Sequence, residues 1–305
     1  MRQTLAVFIL ATSIMSFAHG PESVLASENQ VITFPVRDAD FAAVQSCALD
    51  ENPACRQCAN HGSSNISLMN YSILHHALQK GGVTMPLRPV PSPNSERSRV
   101  MVADGSADIK SDWAFNIENN DAVLKTAPII LAGELEKGLY GHRGINDLSA
   151  GSAIKDAKDL RGVSIRNWRL DWQVMEDLTP KSLISAPTVK QMFALIDLRR
   201  ADFTLLEFSS EPDMGREIDG IRLVPFAGVK VSLPESQHFM VSRKLPHADE
   251  IVDAVNRGIK ILRDEGFIRR CLVNSGMINQ RVEGWRTLNQ TMPPFDKASL
   301  TVPSN

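Results

Sequence analysis

The chain has 305 residues, 43% hydrophobic and 22% charged, long enough for more than one packed core. A formal net charge of -2 and an isoelectric point near 6.4 supply no basic field, so nucleic acid and anionic membrane surfaces are not expected partners.

Met1-Arg2-Gln3 is a short basic start, and Thr4 to Phe17 is an apolar run too short to span a bilayer comfortably. Val24-Leu25-Ala26 offers the small-residue pattern a signal peptidase accepts. Residues 1–26 are therefore expected to be a cleaved signal peptide, leaving a protein that begins at Ser27 and is free and soluble outside the cytoplasm. Ala18-His19-Gly20 is a second cut site, disfavoured by Pro21, and an uncleaved anchor is the competing reading.

Four cysteines remain after cleavage: Cys47, Cys55, Cys58 and Cys271. An even count in an oxidising compartment favours disulfides, and four cysteines allow three pairings among which sequence does not choose. Cys55, Cys58 and His61 could alternatively approach a metal. That spacing is short, however, and lacks a fourth ligand. No metal and no cofactor are implied.

In chain order, Val31 to Val36 reads as a first strand ending at Arg37-Asp38, followed by a polar, turn-rich loop through the cysteines. Ile66, Met69, Ile73, Ala77 and Leu78 lie at helical spacing, and Gly81-Gly82 stops that helix. Thr84 to Pro89 is a second strand, Pro91 to Ser95 a turn, Glu96 to Asp104 a helix and Asp108 to Ala114 a third strand. Thr126 to Tyr140, extended and apolar, is expected to cross into a second lobe. That lobe starts again at Ile154. It contains strands at Val163 to Arg166, Leu183 to Ala186, Phe203 to Phe208 and Leu223 to Phe226, with helices at Leu170 to Leu178 and Val189 to Leu198. A strand at His238 to Val241 precedes a helix with the apolar face Ile251, Val252, Val255, Ile259 and Leu262. Asp249 is expected to cap the start of that helix and Gly266 its end. A shorter helix passes through Ile268 and Leu272.

Two stretches repeat one pattern 94 positions apart. Each is a short apolar helical face, a tight break containing Ala107-Asp108 or Ala201-Asp202, and an extended run. The recurrence predicts an α/β protein of two similar lobes facing a cleft. Both aspartates read as turn-stabilising residues.

The order of pieces resembles the type 2 periplasmic solute-binding proteins, in particular the family 3 (amino-acid-type) receptors of ABC importers. The resemblance rests on Gly105-Ser106-Ala107-Asp108, Asp159-Leu160-Arg161-Gly162-Val163-Ser164-Ile165, Arg199-Arg200-Ala201-Asp202-Phe203 and the segment from Leu245 to Gly276. It implies a hinge of two crossovers. Lobe one would be 28–131 plus 242–305, and lobe two 132–241. It also implies a monomer that traps a small-molecule solute for an ABC permease or another periplasmic partner protein.

Six residues are candidates for the ligand site. Trp168 and Arg169 occupy the turn from a strand end into a helix, where free N–H groups and a guanidinium suit an anion. Glu207 stands in an otherwise apolar strand, so it must meet a cation or open on the cleft; a hinge salt bridge is the rival reading. Asp112 and Trp113 end the third strand, although alternation puts Lys110 and Asp112 on one side and Ser111 and Trp113 on the other. Arg37, beside Asp38, ends the first strand, with a solvated loop as its alternative. The family's Thr-x-x-Arg after the lobe-one strand is missing: the stretch reads Asn116-Ile117-Glu118-Asn119-Asn120. Ordinary α-amino acids are therefore not the expected solute, whereas another zwitterion or a small polar anion is. A non-enzymatic receptor is expected. The alternatives are a cyclohexadienyl dehydratase-like enzyme using Glu207 as acid and an accessory protein of a periplasmic oxidoreductase.

Overall fold

The computed structural model describes residues 30–51, 53–58, 65–142 and 156–289. The expected signal peptide, His61 and Ile154 lie outside the described residues.

The first half of the fold is built from β1 (Ile32–Arg37), α1 (Asp38–Ala48), α2 (Pro53–Arg56), α3 (Ile66–Gly81), β2 (Leu87–Ser92), α4 (Ser95–Asp104), β3 (Ile109–Trp113), α5 (Ala114–Ile117) and β4 (Val123–Ile130). A second half follows with β5 (Glu136–His142), β6 (Arg161–Ser164), α6 (Arg169–Asp177), β7 (Ser182–Ser185), α7 (Val189–Asp197), β8 (Thr204–Leu206), β9 (Arg216–Ile218), β10 (Ile221–Pro225) and β11 (Val229–Ser232). The chain then returns through β12 (Gln237–Ser242), α8 (Ala248–Asp264) and α9 (Phe267–Asn274), and ends in β13 (Arg286–Thr287).

Each half repeats one plan. β1 pairs in parallel with β2, and β6 with β7. The strand after each repeated aspartate turn then pairs antiparallel with a strand that has just crossed over: β3 with β12, and β8 with β5. The aspartates do more than stabilise their own turns. Asp108 Oδ2 accepts from the N–H and hydroxyl of Thr33 on β1, at 2.8 and 2.6 Å. Asp202 accepts from the Arg161 N–H on β6 at 2.8 Å and from that residue's guanidinium at 2.9 and 2.7 Å. One carboxylate thus fixes the strand next to it in each half.

Where the halves meet, residues 131–135 and 233–236 run side by side, with Gly133 N–H donating to the Leu233 carbonyl at 2.8 Å. Glu134 is held there by Arg263 of α8 at 3.2 Å and itself accepts from Leu131 N–H. A third passage joins them. β13 lies parallel to β11, and the Asn289 amide brackets both backbone groups of Ser232 at 2.9 and 2.6 Å.

Several expected elements are corrected. Thr126 to Tyr140 is two strands, β4 and β5, separated by the tight crossover. β2 reaches Ser92, absorbing the expected turn at Pro91, because among the described residues its other edge has no ladder partner and a strand of that kind tolerates proline. α1 replaces the loop expected after Arg37; its apolar residues, four of them alanine, are spread round the helix and form no single face for periodicity to reveal. β9 and β11 were not expected at all. Asp249 lies inside the first turn of α8, whose cap position is His247 in a left-handed conformation.

α3 and α8 cross without side chains between them. A Cβ on Gly81 would fall 2.0 Å from the Ala254 carbonyl oxygen, and one on Gly258 1.9 Å from that of Ala77. Ala77 with Gly81 and Ala254 with Gly258 are i, i+4 pairs, so each helix presents a bare stripe to the other. The cysteines pair Cys47–Cys55 and Cys58–Cys271, which assigns Cys55 and Cys58 to different bridges rather than to a metal. Cys58–Cys271 ties the α2 segment to α9.

Gly81→Ala or Gly258→Ala should lower unfolding free energy by about 1–3 kcal/mol in chemical denaturation, since backbone cannot yield as a side-chain tip can. The chain-entropy argument assigns roughly 5 kcal/mol to a cross-link between positions 213 apart and about 2.5 kcal/mol to one between positions 8 apart. The pair Cys58→Ser/Cys271→Ser should therefore lose more stability than Cys47→Ser/Cys55→Ser; the reverse order would place the main constraint in the short loop.

Candidate functional site

Two strand ends face one another across the halves. β3 turns at Trp113 into α5, and β6 turns through Asn167 and Trp168 into α6. Trp168 is the residue before α6, and its side chain makes no cap hydrogen bond; the half-buried ring packs instead against the core of the second half. Arg169, the first residue of α6, is exposed. Its guanidinium carbon lies 5.0 Å from the centre of the Phe115 ring on α5, a cation–π contact across the corner. Among the described residues no carboxylate lies within ion-pair distance of Arg169.

Alternation along β3 is as the sequence indicates, so Asp112 and Trp113 are not brought together. Asp112 is buried and saturated. Its Oδ2 takes Arg99 Nε at 3.0 Å and Lys110 Nζ at 2.7 Å, while its Oδ1 takes Trp113 N–H and Asn116 Nδ2, both at 2.8 Å. Burial raises its carboxyl, but Lys110, Asn116 and Arg99 together bring it below the ordinary carboxylate value. It holds the β3–α5 corner in place. Trp113, partly buried, packs on the opposite face against the main core. Arg37 is exposed and paired with Asp40 of α1 at 2.6 Å; no described contact joins it to Trp168, Arg169 or Glu207.

Glu207, just past β8, meets a cation. Lys137 of β5 sits between Asp171 of α6, at 2.7 Å, and Glu207, at 2.9 Å. The Lys137 chain is buried, and the two carboxylates outweigh that burial to hold its ammonium well above the usual lysine value. Burial likewise pushes the Glu207 carboxyl up, yet Lys137 more than offsets this and holds it at about 2. Asp171 moves the other way: its burial outweighs the pull of Lys137, and the nearby Glu207 adds to the rise. The salt-bridge reading of Glu207 therefore describes its geometry, with 44% of the side chain still open to solvent.

Phe115, Lys137 and Asp171 were not among the sequence candidates. Lys137 lacked the signal that marked Glu207, because Glu136 precedes it and its strand reads Glu-Lys-Gly-Leu-Tyr-Gly-His, and Asp171 followed Arg169 by two positions. Nothing local marked Phe115.

No family model matches the chain, and no curated protein matches it. Solved structures do. The second substrate binding domain of an ABC transporter from Streptococcus pneumoniae Canada MDR_19A superposes with a TM-score of 0.50 at 12% identity, over 81% of this chain and 99% of that one. The L-cystine solute receptor of Neisseria gonorrhoeae gives 0.47 at 15% identity, covering 79% of this chain and 91% of its own. The VFT2 domain of Bordetella pertussis BvgS gives 0.49 at 12%, covering 80% and 94%. The fold is the two-lobe, type 2 periplasmic-binding fold.

A carboxylate held near 2 contributes native stability above its ordinary value of 4.5 and loses it as pH falls toward 2. Solvent at the open face of Glu207 screens part of that contribution. Glu207→Gln should therefore flatten the fall of the unfolding midpoint between about pH 4.5 and 2.5 relative to the unaltered protein. Superimposable curves would mean that the Lys137 pair contributes nothing.

Proposed function

We propose that this chain is a periplasmic solute-binding protein that shuts two lobes around a small polar or anionic solute, serving an ABC importer or a sensor. One lobe would hold β1 to β4, β12, α8 and α9, and the other β5 to β11 with β13; because β12 pairs with β3 and β4, residues 237–241 would belong to the first lobe and not, as expected, to the second. The moving parts would be the crossovers at 131–135 and 233–236. The observation that carries the reading is the corner where α5 meets α6. There Arg169, exposed and without a carboxylate partner, stands on Phe115 across from the end of β3. A guanidinium with no ion-pair partner among the described residues, next to Trp168 at the start of α6, suits a carboxylate. In this reading the Phe115 contact holds the corner until a solute displaces it.

Catalysis is a weaker reading. The acid that a dehydratase mechanism needs would be Glu207, but Lys137 keeps that group ionised and without a proton to give near neutral pH.

A thermal-shift screen of the mature protein against amino acids, organic acids and polyamines tests the proposal. A solute at 100 times its Kd stabilises the native state by about 2.7 kcal/mol, several degrees in midpoint. The solute should be recovered unchanged. Arg169→Ala should keep the midpoint of the free protein and lose the shift. A variant that responds like the parent would place the site elsewhere.

A further inference from the structure

The charged groups near the corner are largely engaged with each other, yet two buried amides are not. Ser111 and Trp113 share a face of the sheet with their cross-strand partners Phe239 and Gln237. Asn70 projects onto that face from α3, donating from Nδ2 to Ser111 Oγ at 2.7 Å. The other end of its amide, Oδ1, is buried and accepts nothing from the protein, and Gln237 Oε1 is in the same condition. Only 2% of Asn70 and 8% of Gln237 are exposed. A fold that leaves two buried amide oxygens orphaned on one face carries a desolvation cost that no internal contact returns. They sit on the Trp113 side of β3, and Gln237 is the first residue after the second crossover. Their face is the one that Trp113 turns toward the core of the first half, at the end of it next to the crossover, where the two lobes of a clamp would meet.

We infer that Asn70, Ser111 and Gln237 form the floor of the solute cleft and select a small hydroxy acid, its hydroxyl on the floor and its carboxylate on Arg169. This rests on the solute-binding reading above and adds the class of solute. The three floor residues are themselves uncharged; Asp112 is on the opposite face with four donors, and Glu207, though partly open, is held by Lys137. An ammonium brought there would be desolvated against neutral amides alone, which is unfavourable. A hydroxyl both donates and accepts, so it satisfies the Asn70 amide whichever way its oxygen and nitrogen are turned. An N–H group serves only one of the two orientations. A site built to hydrogen-bond a hydroxyl discriminates strongly against the analogue that lacks it, because its own polar groups are then buried unpaired.

The test is calorimetric titration of the mature protein with two matched pairs, malate against succinate and lactate against propionate. The hydroxylated member of at least one pair should bind at least tenfold tighter. Asn70→Leu and Gln237→Met should remove that preference; Gln237→Met should leave the midpoint of the free protein unchanged or higher, since it deletes an orphaned oxygen, whereas Asn70→Leu also gives up the bond to Ser111. Equal binding within both pairs overturns the inference without any variant. So do variants that keep the preference but lower the midpoint, because the amides then serve the fold. If none of the four acids binds, the floor assignment falls; the clamp itself survives if another solute in the thermal screen shifts the midpoint through Arg169, and falls with it if none does.

Discussion

A carboxylate that grips the backbone of the neighbouring strand is the constraint on which this structure depends. Asp108 does it to Thr33 and Asp202 to Arg161. In both cases the aspartate ends a helix–turn and opens a strand, so its position sets the start of β3 and of β8 at once. Those strands each receive an antiparallel partner that has just come from the other half. Fixing their starts also fixes where they end: β3 ends at the corner with Trp113 and Phe115, and β8 ends just before Glu207. A peptide N–H held by a charged acceptor makes a stronger anchor than a neutral turn, which suits a joint that must keep its register.

Charge balance then decides what the cleft offers. Lys110, Arg99 and Asn116 occupy both oxygens of Asp112. Lys137 stands between Asp171 and Glu207. Breaking such a buried set strands a charge, so these groups belong to the framework that shapes the corner. In the proposed site, the groups left for a guest among the described residues are the Arg169 guanidinium on the Phe115 ring and the neutral amides on the Trp113 side of β3. That is a different surface from the mixed field of charges that the residue list alone suggests.

The crossing region is also more heavily tied than two passing strands. Arg263 clamps Glu134 within one crossover, and Asn289 brackets Ser232 at the edge of the other. Arg281 donates to the carbonyls of Ser209, Glu211 and Pro212, just beyond Glu207, and the buried Lys230 reaches the carbonyl of Val282. The segment after α9 therefore braces the loop downstream of β8, far from it in sequence. Any motion between the lobes would fall to the residues these contacts leave alone.

Local pattern was enough for much of this protein. Apolar spacing at 3.6 residues gave α3, α7 and α8, the Ala-Asp turns gave the doubled plan, and an isolated charge in an apolar strand marked Glu207. Each of these signals depends on neighbours within a turn or a strand, so it survives in one dimension. Tertiary structure alone decided the rest. The cysteine pairing depends on α9 meeting the α2 segment from 213 positions away. Prolines in β2 became acceptable only because that strand lies at an edge. Whether Asp112 and Glu207 were free or engaged turned on Arg99, Lys110 and Lys137, whose distances no spacing rule supplies. The orphaned oxygens of Asn70 and Gln237 exist only because a helix and two strands from three parts of the chain close over them. Long-range contact, rather than local propensity, determines which polar groups keep a partner.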